Sequence, residues 1–218
     1  MKKILLVLFS AIMLFGCSSP QDANEKNFTE ALQNYYENKP MNITINFEFP
    51  AEIEKSGFKY KRNLEMLSEF EKLGFITSEE FERTVGKGNL FSRAANPDNK
   101  IVWIKYSLTE KGKTVTSKLE KSFFSKGGTQ FCYGKGYNIQ EVSSFTAPAD
   151  SNGYKISKVT FSVKGKNIED WVKENSVFKT TYSHVRKNLN SLETPLPATA
   201  VLILTNNGWV HEMMMPKG

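Results

Sequence analysis

Residues 4 to 15 form an apolar run interrupted only by Ser10, preceded by Met1-Lys2-Lys3 and followed by Gly16-Cys17. This run decides how much of the chain has to fold. A helix needs about 20 apolar residues to cross a bilayer, so the run is too short to span one. Its length, its basic flank and the small residue at its end are those of a cleaved secretory signal. The fold must then be built from the remaining ~200 residues, enough for one or two domains.

The end of the run is more specific than a generic signal. Leu14, Phe15, Gly16 and Cys17 follow the order aliphatic, variable, small, Cys. This segment resembles the lipobox of bacterial lipoproteins, with Phe15 bulkier than is usual at its position. The resemblance implies cleavage before Cys17, a diacylglycerol thioether on its sulfur and an acylated amine, with palmitate-type chains as the anchor. One acyl chain holds a protein weakly and several hold it stably. The competing reading is an ordinary signal peptide that happens to end beside a cysteine. In enteric-type lipoproteins an Asp after the lipidated Cys marks inner-membrane retention, so Ser18 implies the outer membrane, on its periplasmic or surface face. Residues 18 to 26 are polar, contain Pro20 and lack apolar periodicity; they are expected to form a flexible tether.

With Cys17 lipidated, Cys132 is the only other cysteine, so no intramolecular disulfide can form and burial has to hold the fold. Without Lys2 and Lys3 the 29 basic residues become 27 against 23 acidic ones, a mature charge of about +4. That mild, scattered excess fits a solvated mixed surface as well as an anionic partner. Sixteen Phe and eight Tyr predict small cores packed on rings.

Along the chain, Asn27 is a candidate cap for a helix from Phe28 to about Asn38, with Phe28, Ala31, Leu32 and Tyr35 on one face. Met41 to Phe49 is apolar at every odd position, the pattern of a strand with one face in the core. Asn63 could cap a second helix carrying Leu64, Leu67, Phe70 and Leu73, stopped by Gly74. Residues 78 to 99 are polar and read as a hairpin or long loop. Ile101 to Leu108 reads as a strand, and Thr109 as the cap of a helix reaching about Phe124.

This order is similar to the winged-helix fold. Leu73-Gly74-Phe75-Ile76 resembles the end of a recognition helix, and Tyr106-Ser107-Leu108-Thr109-Glu110-Lys111-Gly112 resembles the wing-to-helix turn of MarR-type regulators. The departure is between Pro50 and Leu73, where one helix is visible and a helix-turn-helix needs two. The resemblance implies a fold, not DNA readout.

Paired glycines at 127 and 128 mark the best internal boundary. Beyond it, residues 130 to 145 look like one strand interrupted by a bulge at Gly134 or Gly136. Pro148 to Gly153 reads as a turn. In the strand from Tyr154 to Val163 the apolar parity shifts, which a bulge near Ser157 would explain. Asn167 opens helical sequence with Ile168, Trp171, Val172, Phe178, Tyr182, Val185 and Leu189 facing inward and a break at Glu174-Asn175-Ser176. Ala200 to Leu204 is continuously apolar, as a strand buried on both faces would be, and Asn207-Gly208 is a hairpin signal leading into Trp209 to Met213. The fold class is thus α+β: residues 1–16 a signal, 17–26 a lipidated tether, 27–126 a winged-helix-like lobe, and 129–215 a small antiparallel sheet with a packed helix, in the order β-β-α-β-β.

Little in the sequence supports chemistry. There are two histidines, His184 and His211, and no cluster with zinc-ligand spacing. Cys132 with either His could in principle form a thiol–imidazole pair, but structural roles explain all three residues. Gly86-Lys87-Gly88 and Gly134-Lys135-Gly136 lack the spacing of phosphate loops. Glu79-Glu80 and Glu169-Asp170 fit solvated helix starts. Arg83, Lys87, Arg93 and Lys100 could make a basic hairpin, read as a charged edge rather than a nucleic-acid contact. No catalytic, cofactor or metal residue is assigned; Cys17 is the one functional site, as the lipid attachment point. The chain as a whole resembles envelope lipoproteins of Gram-negative bacteria, a likeness that brings no activity with it. The expectation is a membrane-anchored, non-catalytic binding or accessory module with a protein partner in the envelope. The alternatives are an immunity-type lipoprotein that occludes a secreted toxin, and a hydrolase using Cys132.

Overall fold

The computed structural model describes residues 19–84, 100–122 and 127–216. Cys17, Lys87, Arg93 and the Gly86-Lys87-Gly88 stretch lie outside the described residues. The fold is α+β and its sheets are antiparallel throughout.

Helix α1 spans Glu25–Tyr36 and starts earlier than expected. Its cap is Asn24, whose side chain accepts from the Asn27 N–H at 2.9 Å. Asn27 is instead buried one turn inside, and Phe28, Ala31 and Leu32 form the inward face. Strand β1 (Pro40–Ile45) ends before the predicted Phe49 and keeps the alternation, with Met41, Ile43 and Ile45 buried. Strand β2 (Ala51–Glu54) leads into α2 (Phe58–Lys72), which opens at Gly57 rather than Asn63. Met66, Leu67 and Phe70 are its buried face. Beyond it Gly74 adopts φ +72°, a left-handed conformation that favours glycine and ends the helix. Ile76–Thr84 is strand β3 and Lys100–Leu108 is strand β4, central in a sheet of order β2-β4-β3; residues 85–99 of the expected hairpin or loop lie outside the described residues.

The helix expected after Thr109 is only one turn long. Thr109 caps it as predicted, accepting from the Gly112 N–H at 2.9 Å and donating to the Gly74 carbonyl at 2.7 Å. Helix α3 stops at Glu110–Thr114, and Thr116–Leu119 is strand β5. The run Thr114-Val115-Thr116 is β-branched and suits a strand better than a helix. β5 pairs with β6 (Gly128–Lys135), and β6 pairs on its other side with β1.

The stretch predicted as one interrupted strand is two strands in two different sheets. The chain leaves β6 at Gly136, whose φ is +85° and where a Cβ would collide with the Glu37 carbonyl. It then enters β7 (Tyr137–Phe145). β7, β8 (Ala149–Ser151) and β9 (Tyr154–Gly165) join β10 (Leu196–Thr205) and β11 (Gly208–His211) in a sheet of order β11-β10-β9-β7, with β8 on β9. No bulge lies at Ser157: the β9–β10 register is unbroken and Ser157 points inward, fully buried. Its hydroxyl donates to the Thr146 carbonyl at 2.7 Å, which lets a polar side chain fill a core position. The irregularities fall on β7, between Ile139 and Glu141 and between Val142 and Ser144. The helical segment breaks at Asn175 as expected and again at Tyr182, giving α4 (Asp170–Lys173), α5 (Ser176–Thr181) and α6 (Ser183–Asn190). Asn175 caps α5 and also donates to Glu69 of α2 at 2.7 Å, tying these helices together.

Two cores result, and each takes residues from both sides of the Gly127-Gly128 pair. One gathers β1, α2, β4, β6 and the helices α4 to α6. Its centre is Phe131, whose ring stacks on Phe70 at 3.9 Å. The other packs α1 on the five-stranded sheet, with Phe28 edge-on to Trp209 at 4.9 Å and to Phe145 at 4.8 Å. Between them the buried Asn188 of α6 donates to the Tyr133 hydroxyl at 2.8 Å and accepts from the Tyr137 hydroxyl at 3.1 Å. Tyr133 belongs to β6 and Tyr137 to β7, so one amide bridges two sheets.

β10 is an interior strand, but it is not buried on both faces. Ala200 and Leu202 are buried while Val201 and Ile203 are half-buried, beside cross-strand neighbours such as Val210 and Ile156. The two faces should respond differently to charge. Leu202→Asp places a carboxylate where none can be solvated, a cost of several kcal/mol that approaches the ~5–15 kcal/mol stability of a domain. A soluble chain starting at Ser19 and carrying Leu202→Asp should lose its cooperative melt in calorimetry, whereas Ile203→Asp should lower the midpoint and keep the transition. Equal melting of both variants would contradict the one-sided burial of β10.

Candidate functional site

Cys17 is the one site the sequence assigns, so the residues nearest to it in the chain matter most. The segment expected to be a flexible tether as far as Lys26 is docked from Ser19 onward. The Ser19 N–H donates to the Asp22 carboxylate at 2.8 Å, and the Asp22 N–H returns to the Ser19 carbonyl at 2.9 Å. From α1, the Asn27 amide donates to the carbonyls of Ser19 at 2.7 Å and Asp22 at 2.9 Å. From β11, the Trp209 indole N–H reaches the carbonyls of Gln21 and Asp22, both at 3.2 Å. Gln21 in turn donates to the Asn206 carbonyl at 3.1 Å in the β10–β11 turn. Pro20 lies against Gly208, where a Cβ would crowd its carbonyl. The polar composition that suggested a tether is used as a set of donors and acceptors for capping. The signal that could have revealed this is the pair Asn24 and Asn27, since only one of two asparagines three apart can be the cap.

The candidate nucleophile and the two imidazoles make separate hydrogen bonds. The Cys132 thiol donates to the Gly134 carbonyl at 3.4 Å, and no hydrogen bond joins it to either imidazole among the described residues. His184, exposed at the start of α6, hydrogen-bonds the Asn42 carbonyl through Nε2 at 3.1 Å. His211 ends β11 and is buried. No group of His, Cys, Asp or Glu among the described residues could hold a metal ion, and no helix there is long and apolar enough to cross a membrane.

The basic hairpin is largely neutralised where it is described. Arg83 pairs with Glu52 at 2.6 Å and Lys100 with Glu82 at 2.8 Å. The Arg83 guanidinium also lies over Trp103, 4.8 Å from the ring centroid, and over Phe81 at 5.4 Å. Glu79 and Glu80, expected at a helix start, are on β3, where Glu80 pairs with Lys55. These exposed pairs hold the hairpin's side chains in place at little net energy.

His211 is the one histidine among the described residues that is buried. Its ring stacks on Tyr35 at 3.8 Å and meets Tyr36 edge-on at 5.7 Å. Nδ1 accepts from the Met213 N–H at 3.1 Å, which places the proton of the neutral ring on Nε2. Burial pushes its pKa below the ordinary value, Lys39 adds to this and Glu212 opposes it.

Comparison of the chain with protein-family models, with curated proteins and with solved structures gives no match.

Two expectations follow. The unfolded chain takes up a proton on His211 near the ordinary value of 6.5 while the fold resists it. The unfolded state therefore binds more protons, and stability falls as pH drops below that value. Melting temperature against pH should show this decline, and His211→Gln should flatten it; an unchanged slope would assign the decline to other groups. Second, with Arg83 and Lys100 paired, the body from Ser19 onward should bind duplex DNA only weakly, without sequence preference, and lose it as salt rises. Tight, sequence-dependent gel shifts abolished by Arg83→Ala would reverse that reading.

Proposed function

We propose that this chain is a lipoprotein of the cell envelope, anchored through acyl chains on Cys17, and that its folded body is a non-catalytic binding or accessory module for a protein partner there. The observation that carries the reading is the sequence from Lys2 to Cys17, a basic flank, a short apolar run and the order Leu14, Phe15, Gly16, Cys17. Ser18 in place of an acidic residue supports the outer membrane. The non-catalytic reading is supported by a thiol and two imidazoles that each have separate local partners.

The winged-helix likeness of residues 27–126 has support in the β2-β4-β3 sheet, in α2 leading into β3 and in the Thr109 cap at the end of β4. α2 is the one helix between β2 and β3, and α1 packs on the other sheet, so the likeness carries no DNA readout. A protein anchored on the far side of the inner membrane would also meet no chromosome.

The anchor is tested by Cys17→Ser in the full-length protein. Metabolic labelling with a fatty-acid probe should mark the parent and not the variant, and the variant should keep its uncleaved signal, seen as a larger mass. Label that persists in Cys17→Ser would remove the anchor.

A further inference from the structure

The docked segment at Ser19 sets how far the folded body can stand from its anchor. Only Ser18 separates Cys17 from Ser19. An extended chain advances about 3.3–3.6 Å per residue, so two steps reach roughly 7 Å. The headgroup layer on one side of a bilayer is of similar thickness, since a core of about 30 Å becomes about 40–45 Å with both headgroup layers. Acyl chains on Cys17 must lie in the hydrocarbon, which puts Ser19 among the headgroups.

What surrounds Ser19 is therefore brought to the membrane as well. Gln21, Tyr154, Lys155 and Asn206 line one shallow hollow of about 260 Å³, so the β8–β9 and β10–β11 turns converge beside the docked segment. Tyr154 is 49% exposed, an amphipathic ring free to sit at headgroup level. Lys155 faces Asp150 across the β8–β9 hairpin, and Asn206 and Asn207 are exposed polar tips. The Asp22 carboxylate is engaged by the Ser19 N–H. This surface has hydrogen-bonding groups for phosphates and glycerol esters, and its charges, Lys155 against Asp22 and Asp150, give no net attraction to an anionic leaflet. Its fit to a leaflet is thus set by the short tether and not by salt.

We infer that this end of the molecule, formed by residues 19–22 with the β8–β9 and β10–β11 turns, is a membrane-seated surface that rests on phospholipid headgroups, so that the anchored body has one fixed orientation. The inference rests on the lipid anchor proposed above. It goes beyond that anchor in replacing a swinging body with a seated one.

The test uses the full-length lipidated protein in vesicles of phosphatidylethanolamine and phosphatidylglycerol. A nitroxide is placed at Asn206→Cys, or at Asn207→Cys as a second position, in a Cys132→Ser background. Flotation with the vesicles reports the anchor by itself. Nickel chelated on lipid headgroups should broaden the nitroxide spectrum several-fold more in the native tether than after a long Gly/Ser linker is inserted between Ser18 and Ser19, with flotation unchanged and no dependence on salt. Protein that floats without broadening at either position overturns the seated surface and leaves the anchor standing. Broadening that persists with the linker overturns the account in which the tether imposes the contact. Protein that does not float overturns both.

Discussion

The amide of Asn188 joins β6 to β7, consecutive strands that belong to different sheets. It sits in the interior between the Tyr133 hydroxyl and the Tyr137 hydroxyl, giving a proton to one and taking a proton from the other. Burial pushes the pKa of both phenols upward, so both remain protonated. Without the amide the fully buried Tyr133 hydroxyl would lose its partner, at about 1–3 kcal/mol, and the half-buried Tyr137 would lose one too. Because β6 and β7 diverge at Gly136, this bridge fixes the angle at which one core meets the other. The same helix end is held a second time, by the Ser191 hydroxyl, which accepts from the Gly165 N–H of β9 at 2.8 Å.

Around that bridge the cores are made of rings, as a chain with sixteen Phe and no possible disulfide within its folded body requires. Phe131 touches Phe70, Phe75 and Phe49, and Phe70 passes the contact on to Phe178 and Trp171. Offset and edge-to-face rings add about 0.5–1.5 kcal/mol per pair beyond the area they bury. These contacts join α2 to α4 and α5, which are far apart in sequence. Short helices of four and six residues could not persist alone. Their place is set by Val172 and Phe178 seated in the ring cluster.

Periodicity and caps made much of this legible. The alternation in β1, the Thr109 cap, the break at Asn175 and the β10–β11 hairpin all follow from residue types acting over a few positions. The parts that were not legible depend on contacts across the chain. Nothing local in residues 130 to 145 says that the strand changes sheets; the need for Gly136 arises from the Glu37 carbonyl, a hundred residues away. Ser157 looked like a defect in the pattern because its partner, the Thr146 carbonyl, lies just beyond the end of β7. Residues 19 to 24 looked like linker because their composition is polar, and polar residues serve equally well in capping. The apolar outer face of β10 gave the same run of letters as a doubly buried strand. For the site, the proposal at Cys17 rests on sequence order alone, whereas the stacking of His211 on Tyr35 joins α1 to β11 and has no local trace.

That pairing of first and last elements has a bearing on how the chain acquires its fold. Trp209 closes on Asp22 across 187 positions, and α1 packs on both β7 and β11. Phe28 finds one ring partner, Phe145, in β7 and another, Trp209, only in β11. Contacts of such long sequence separation are slow to form, because loop closure has to come first. The segment next to Cys17 is in this sense among the last parts to become ordered. Its hold through the Trp209 indole comes only with β11 in place.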